Sequence, residues 1–231
     1  FGLSGSFPSK VEEQANAITQ NVDPNEIKKR MDFRDIFTLT IDPLDARDFD
    51  DALSVQKIND DEWEIGVHIA DVSYYVQLNS ALDKEARKRG NSTYLVGEVV
   101  PMLPQSLSNG ICSLVEGQDR LVKSVLFRFR NDGKMVSSKL AECVINSNKR
   151  LTYEQAILFL RGNRLESIKE AKPPSSRYSG NPGKPLQEVS SDELKQINQT
   201  IQRLWSIASK LRTERMSCLL YTSDAADEVF G

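Results

Sequence analysis

Residues 40–53 read TIDPLDARDFDDAL, and the stretch holds five aspartates: Asp42, Asp45, Asp48, Asp50 and Asp51. Arg47 is the one basic side chain among them. Carboxylates crowded in this way repel one another, by several kcal/mol where the local dielectric is low. A divalent cation removes that repulsion, and carboxylate oxygens are ligands that suit Mg²⁺ and Mn²⁺. Such a centre can orient a water and stabilise in-line displacement at a phosphodiester.

Three other interpretations of the aspartates compete with a metal site. An EF-hand calcium loop needs Gly at its sixth position and Glu at its twelfth, but counting from Asp42 these are Arg47 and Leu53. A phosphoaspartyl enzyme needs one nucleophile and does not require four carboxylates. A solvated turn with capping aspartates stays open, and it is the commoner outcome for an arbitrary Asp-rich loop.

Strands are predicted on both sides of the cluster. The β-branched and aromatic run FTLTI (37–41) predicts a strand that leads directly into it. Alternating runs around polar turns predict two antiparallel hairpins, one pairing 52–58 with 63–70 and the other pairing 121–130 with 134–145. The expected fold is therefore α/β (α+β), with a mixed, largely antiparallel sheet and flanking helices.

Helices are predicted by apolar spacing and by capping residues. The expected segments are 9–20, a start at Asp23-Pro24, Asn79 to Arg89 before Gly90, Thr152 to about Leu160 with a capping box to Gln155, and a long helix from Ser191. One stripe marks the apolar face of the last helix: Leu194, Ile197, Ile201, Leu204, Ala208 and Leu211.

Composition excludes several classes of protein. Hydrophobic residues make up 39% and charged residues 27% of the 231 positions, which is typical of a globular chain. We see no signal peptide and no run of about 20 apolar residues, so no membrane partner and a cytoplasmic location are predicted. Three unpaired cysteines and a single histidine argue against disulfides and against a zinc centre.

Two segments are set apart from the predicted domain. Residues 169–190 are rich in Pro, Ser, Gly and Lys, which indicates an exposed loop. CLLYTSDAADE (218–228) equals the translation of a transposase-end adapter used in sequencing libraries. We therefore expect 218–231 to be a non-native tail, and 1–217 to be the N-terminal part of a domain that is truncated on its C-terminal side.

The aspartate motif resembles the signature of the ribonuclease II / ribonuclease R catalytic (RNB) domain. HIADVSYYV (68–76), STYLVGEVVPMLPQSLSNGICSL (92–114) and LTYEQA (151–156) follow in that family's order and approximate spacing. The resemblance covers nearly all of residues 1–217. The HIADVS and DARDFDD segments are closer to bacterial ribonuclease R than to ribonuclease II.

This resemblance implies a processive 3′-to-5′ exoribonuclease that hydrolyses single-stranded RNA to nucleoside 5′-monophosphates with Mg²⁺, Mn²⁺ being an alternative. The RNA 3′ end would be the partner, and the full-length enzyme would be a monomer. Four positions match the family's active-site, metal-binding aspartates: Asp42, Asp48, Asp50 and Asp51. Asp50 is the one we link most directly to the attacking water, and Asp45 matches no role.

Other residues in the matching motifs divide into site and scaffold. Tyr94 matches an aromatic that stacks on a base near the RNA 3′ end. His68 is expected to be a hydrogen-bonded core histidine, and Asp71 is expected to be structural. PMLPQSLSNGICSL (101–114) is expected to shape the channel wall. The basic run of Lys84, Arg87, Lys88 and Arg89 either contacts RNA phosphates or is a solvated helix face.

Further family elements are absent from these residues, among them an arginine that assists at the scissile phosphate, a second stacking aromatic and the flanking oligonucleotide-binding barrels. We therefore expect the 231 residues alone to be inactive or nearly so. Two other functions stay open. One is a non-catalytic RNA-binding relative, whose mark would be a broken aspartate set, and the other is a metal-dependent phosphohydrolase of small phosphoesters.

Overall fold

The structure is a computed structural model that describes residues 5–95, 98–162, 165–169 and 183–217. The predicted tail at 218–231 and most of the predicted loop at 169–190 therefore lie outside the described residues. None of the helices within the described ranges is long and apolar enough to cross a membrane.

The strands in chain order are β1 (Met31–Asp32), β2 (Thr38–Asp42), β3 (Asp51–Lys57), β4 (Glu62–Ala70), β5 (Thr93–Leu95), β6 (Glu98–Val100), β7 (Asp119–Arg130), β8 (Met135–Asn146) and β9 (Lys149–Thr152). The main sheet has the order β1-β8-β7-β4-β3-β2-β9, and β5 and β6 form a separate hairpin. Both predicted hairpins are present as β3–β4 and β7–β8.

Most neighbours in the main sheet are antiparallel, and two outer pairs are parallel. β1 runs parallel to β8, and β9 runs parallel to β2 with Asp42 level with Thr152. The predicted mixed, largely antiparallel sheet is confirmed. The parallel pairs are the part that local sequence patterns do not predict, because their partners are far apart in the chain.

The helices are α1 (Ser9–Asn16), α2 (Pro24–Ile27), α3 (Val72–Tyr75), α4 (Ala81–Arg89), α5 (Tyr153–Leu160), α6 (Leu165–Lys169) and α7 (Ser191–Ser217). The predicted caps are present. The Asp23 carboxylate accepts from the Asn25 N–H at 2.8 Å, and Thr152 and Gln155 form a reciprocal capping box. Gly90 has a φ of +80°, a conformation open to glycine, directly after α4.

Helix α7 packs its apolar stripe against α5 and the sheet. Within the predicted stripe, Ala208 is exposed, and the neighbouring Ile207 is buried instead, in a cluster with Ile65 and Phe129. Leu186 and Val189 are buried in the cluster of α7 with α5. The prediction of an exposed loop is therefore wrong at these two apolar positions.

Candidate active site at the end of strand β2

The loop Asp42–Asp51, called the aspartate loop below, joins the end of β2 to the start of β3. These strands are antiparallel neighbours, with Thr38 opposite Ser54 and Leu39 opposite Leu53. Asp42 ends β2 and Asp51 begins β3, and the charges of Asp51 and Asp50 help to raise the pKa of Asp42. The two ends of the loop therefore meet at one edge of the sheet, which is why carboxylates separated in sequence come together.

Alternation along the second half of the loop explains the D-F-D spacing. Phe49 is 2% exposed, and its N–H donates to Ser113 Oγ at 3.0 Å while its carbonyl accepts from the Leu114 N–H at 2.9 Å. Because successive side chains of an extended chain point to opposite sides, Asp48 and Asp50 turn away from the core as Phe49 turns into it.

The loop opens into a cavity of about 1040 Å³. The structure brings every predicted site residue to its lining: Asp42, Asp48, Asp50, Asp51 and Tyr94. Asp45 lines the same cavity. Gln105, Ser106 and Asn109 line it as well, which confirms that the segment 101–114 contributes to the wall.

Tyr94, on β5, links the separate hairpin to the aspartate loop. Its hydroxyl donates to Asp48 Oδ2 at 3.0 Å, while the residue stays 65% exposed. Burial of the hydroxyl and the hydrogen bond to Asp48 raise the pKa of Tyr94 to about 12. The phenol is therefore protonated at neutral pH and remains a donor, and its ring is open to the cavity.

Two of the aspartates have raised pKa values. Asp42 is 8% exposed, and burial, reinforced by the charges of Asp51 and Asp50, raises its pKa to about 6. Among the described residues, its Oδ2 has no hydrogen-bond partner. Asp50 opens into the cavity, yet the loop around it desolvates the carboxylate, and this together with the charges of Asp48 and Asp51 raises its pKa.

Arg150, on β9, is a residue of this region that the sequence reasoning missed. It is 2% exposed, and its Nη2 donates to the carbonyl oxygens of Pro43 at 2.7 Å and Leu44 at 3.3 Å. Burial lowers the pKa of its guanidinium, and the charge of Asp42 opposes that shift. The signal available in the sequence was a basic residue directly before the LTYEQA motif, but nothing local connects it to residues 43 and 44.

His68 and Asp71, which were predicted to be structural, are buried and make hydrogen bonds or ion pairs within the fold. His68 is fully buried, with Nε2 hydrogen-bonded to Ser54 Oγ at 2.9 Å and Nδ1 to Ser124 Oγ at 2.7 Å. Burial lowers its pKa to about 4. Asp71 pairs with Arg30 at 2.8 Å, both side chains being almost completely buried.

The basic run on α4 is partly engaged in ion pairs on its own helix. Arg87 pairs with Asp83 at 2.9 Å, and Arg89 pairs with Glu85 at 3.0 Å. These are i to i+4 contacts of the kind that stabilise an exposed helix. Arg87 has a side chain that is 66% exposed, which favours a solvated face, and contact of the exposed basic residues with RNA stays a prediction. Arg89 is structural instead, because its side chain is 11% exposed and donates to the carbonyl oxygens of Pro101 at 3.1 Å and Ser6 at 2.7 Å.

The side chains that line the cavity show whether this region suits a divalent cation. Within the part of the chain that the structure describes, no three His, Cys, Asp or Glu side chains come close enough to form a complete ligand set. The donors are nevertheless oxygens, and Asp42 Oδ2 is a buried acceptor without a hydrogen-bond partner among the described residues. Mg²⁺ commonly takes one or two carboxylates and completes its shell with water and substrate phosphate. The residues fit that kind of site, rather than a cage made of protein alone.

Comparison with known proteins gives concordant matches. A family model described as "RNB domain" matches residues 30–226. Ribonuclease R of Thermotoga maritima is 50% identical over 169 residues, which are 73% of this chain and 24% of that protein. Mycoplasma genitalium RNase R, in complexes with double-stranded RNA and with ribose-methylated single-stranded RNA, matches 91% of this chain with a TM-score of 0.74 and 30% identity.

A more distant match shares the fold alone. Yeast Ssd1, described as a pseudonuclease, is 21% identical with a TM-score of 0.60 over 87% of this chain. The chain spans about a quarter of the Thermotoga protein, and 33% and 29% of the two Mycoplasma chains.

Proposed function

Because this chain belongs to the RNB domain family, we propose that it carries the metal-binding part of a 3′-to-5′ exoribonuclease acting on single-stranded RNA. The enzyme hydrolyses phosphodiester bonds with Mg²⁺ and releases nucleoside 5′-monophosphates. The resemblance to ribonuclease R is confirmed by the Thermotoga relative. The observation that carries the proposal is the convergence on one cavity of an exposed aromatic with four carboxylates: Asp42, Asp48, Asp50 and Asp51.

The carboxylates divide by environment. Asp42, Asp48 and Asp51 would be the main ligands of the cation. Asp50 would belong to the same metal site and lie nearest the attacking water. When bound, Mg²⁺ would activate water and stabilise the charge that develops on the phosphodiester. Asp50 has a raised pKa and opens into the cavity. A carboxylate with those properties is suited to accept the proton of an attacking water, and we assign it that role.

Tyr94 would grip the terminal nucleotides. Base stacking on an aromatic side chain contributes about 1–3 kcal/mol per base and tolerates any sequence. The hydroxyl of Tyr94 donates to Asp48 Oδ2, so the stacking ring and a metal carboxylate are held in fixed relation. A nucleotide stacked there presents its phosphate to the aspartates.

The cavity favours a strand over a small ester. Its volume of about 1040 Å³ is slightly above the range typical of small-molecule pockets, about 300–1000 Å³. Its lining combines the aspartates with the uncharged polar side chains of Gln105, Ser106 and Asn109. A non-catalytic relative would be expected to lack one of the four aspartates, and all are present. A monomeric, cytoplasmic enzyme stays a prediction from the sequence.

A segment exchange tests the proposal without depending on the length of this chain. The 169 matched residues would replace the corresponding segment of Thermotoga maritima Ribonuclease R. With RNA labelled at its 5′ end, we expect Mg²⁺-dependent shortening from the 3′ end and 5′-mononucleotides as products.

Two aspartate variants of that hybrid provide the matched comparison. Asp50→Asn is expected to lower the hydrolysis rate by about 10³-fold, in line with the loss of a proton acceptor. Asp45→Asn lies in the same loop and is expected to leave the rate unchanged. A folded hybrid that binds RNA without cleaving it would support the non-catalytic alternative. Hydrolysis of small phosphoesters with no action on RNA would support a metal-dependent phosphohydrolase.

A further inference from the structure

Arg150 contacts both halves of the aspartate loop. On the first half, its Nη2 donates to the carbonyl oxygens of Pro43 at 2.7 Å and Leu44 at 3.3 Å, the two residues directly after Asp42. On the second half, its guanidinium carbon lies 5.5 Å from the centre of the Phe49 ring, within cation–π range. One side chain therefore bridges the segment that follows Asp42 and the segment that carries Asp48 and Asp50.

The base of this bridge is fixed. Arg150 lies level with Thr40 in the parallel β2–β9 pairing, and its N–H donates to Glu116 Oε2 at 2.9 Å. The same carboxylate pairs with the buried Lys149 at 2.7 Å. Because β9 is locked to both β2 and Glu116, the guanidinium reaches the loop from a rigid strand.

The guanidinium is incompletely satisfied in this position. Its Nε and Nη1 are buried and have no hydrogen-bond partner among the described residues, as is also true of Asp42 Oδ2. A buried N–H without a partner is costly, so few arginines are kept in such an environment. The guanidinium is stabilised in this position by the two loop carbonyls and by the charge of Asp42. These contacts are those expected of a residue that supports the loop.

We propose that Arg150 is a positioning residue that holds the two halves of the aspartate loop together, so that their carboxylates can share one cation. It acts through the backbone at 43 and 44 and through Phe49, without touching substrate. The cation in this statement rests on the proposed function; the holding of the loop does not.

A role of Arg150 as a positive charge and a role through the shape of its guanidinium predict different effects of substitution on cation binding, so the two roles can be distinguished. If Arg150 acted only as a positive charge, Arg150→Met would strengthen cation binding by removing a repulsion, and Arg150→Lys would change nothing. If it acts by the position of Nη2 between the two carbonyls and by the planar guanidinium near Phe49, which a lysine ammonium does not reproduce, both substitutions weaken cation binding. In metal sites, loss of a supporting partner typically costs about 10–100-fold in affinity.

The first experiment measures Mn²⁺ binding to the chain by electron paramagnetic resonance. We expect Arg150→Lys and Arg150→Met each to raise the dissociation constant by about tenfold. Arg30→Lys is the matched control, since Arg30 is also a buried arginine and its described contacts lie outside residues 42–51. Its Mn²⁺ affinity should be unchanged. Tighter binding by Arg150→Met, or unchanged binding by Arg150→Lys, overturns the proposal.

The second experiment needs no cation. Trypsin cuts after Arg47, inside the loop, and after the exposed Lys134 in the turn between β7 and β8. Both Arg150 variants should be cut faster after Arg47, by about tenfold or more, with the rate after Lys134 unchanged. No acceleration after Arg47, or an equal rise at Lys134, overturns the proposal. If the unsubstituted chain binds no Mn²⁺, the proposed metal site fails and this cleavage ratio alone decides the role of Arg150.

Discussion

Two buried aspartates each lie near a buried arginine, and they differ in whether the charges meet. Asp71 accepts from Arg30 Nη1 at 2.8 Å and from Ser73 Oγ at 2.7 Å, and Arg30 also pairs with Glu26 at 3.0 Å. Asp42 and Arg150 influence each other's pKa, but the Asp42 Oδ2 oxygen and two of the arginine nitrogens have no hydrogen-bond partner among the described residues.

The difference separates a structural site from the proposed metal site. At Asp71 the protein satisfies its own charges, so the pair has nothing left to offer a ligand. At Asp42 burial raises the pKa and one oxygen stays unpartnered, so that a cation can supply what the protein does not. Perturbed, unsatisfied ionisable groups in a cavity are typical of active sites.

The largest change in the free energy of unfolding is expected from breaking the ion pair between Arg30 and Asp71. Arg30→Met leaves the Asp71 carboxylate buried without its main partner, which should lower the free energy of unfolding by about 3–5 kcal/mol. Urea denaturation at pH 7 measures this. Lys29→Met is the control, because Lys29 is exposed and pairs with the same Glu26. It should cost less than about 1 kcal/mol. Equal losses in the two variants would show that Asp71 does not depend on Arg30 for its stability in the folded chain.

His68, which is also fully hydrogen-bonded, sharpens the comparison through pH. Burial lowers its pKa from 6.5 to about 4. Between those values the unfolded chain binds a proton that the folded chain refuses, so stability falls as pH falls from 6.5 to 4. The loss amounts to at most about 3 kcal/mol. Unfolding measured across this window, compared with His68→Gln, isolates the histidine. An imidazole resonance that titrates near pH 6.5 would refute the expectation.

Asp42 should show the opposite sign. Its pKa is raised from 3.8 to about 6, so the folded chain binds the proton more tightly, and stability is lost as pH rises from 4 to 6. Asp42→Asn removes that penalty and should stabilise the chain by about 1–2 kcal/mol at pH 7, with no gain at pH 4.

Asp45→Asn, at an exposed position of the same loop, is the control for Asp42→Asn. It should change stability by less than about 0.5 kcal/mol at either pH. Mn²⁺ binding should be lost in the Asp42 variant only. If Asp42→Asn destabilised the chain at pH 7, Asp42 would belong with Asp71 among the structural aspartates.

The smallest effect is expected from Tyr94→Phe. It removes the hydrogen bond to Asp48 at a residue that is 65% exposed, and should change the free energy of unfolding by less than about 1 kcal/mol. The ring remains, so affinity for single-stranded RNA in a fluorescence anisotropy titration should stay within about threefold. Tyr94→Ala should weaken binding by about 1–3 kcal/mol. An equal loss in the two variants would assign the affinity to the hydroxyl and exclude stacking.

Sequence reasoning succeeded where the determining interactions are local. The capping box at Thr152, the stop at Gly90 and both hairpins depend on residues a few positions apart, and all are present. The grouping of the aspartates was predictable for the same reason, since one loop carries them all.

It failed where partners are distant in the chain. Arg150 contacts Pro43 across 107 positions, and no local pattern announces the parallel β2–β9 pairing that brings them together. Leu186 and Val189 lie at the end of a polar segment that composition assigns to solvent, yet they are buried in the cluster that contains Ile197. The partner of Asp71 was likewise unpredictable, because Arg30 reaches it from a separate segment.

The parallel pairing of β2 with β9 also sets the order in which this region can form during synthesis. The aspartates leave the ribosome before the strand that supports their loop, which follows 107 positions later. At about 5–20 residues per second, that interval is roughly 5–20 s. During this time the nascent chain contains all the aspartates of the loop, but Arg150 is not yet present to hold the loop in position. Its ability to bind a cation is therefore expected to arise after translation of residue 150, and not when the motif itself emerges.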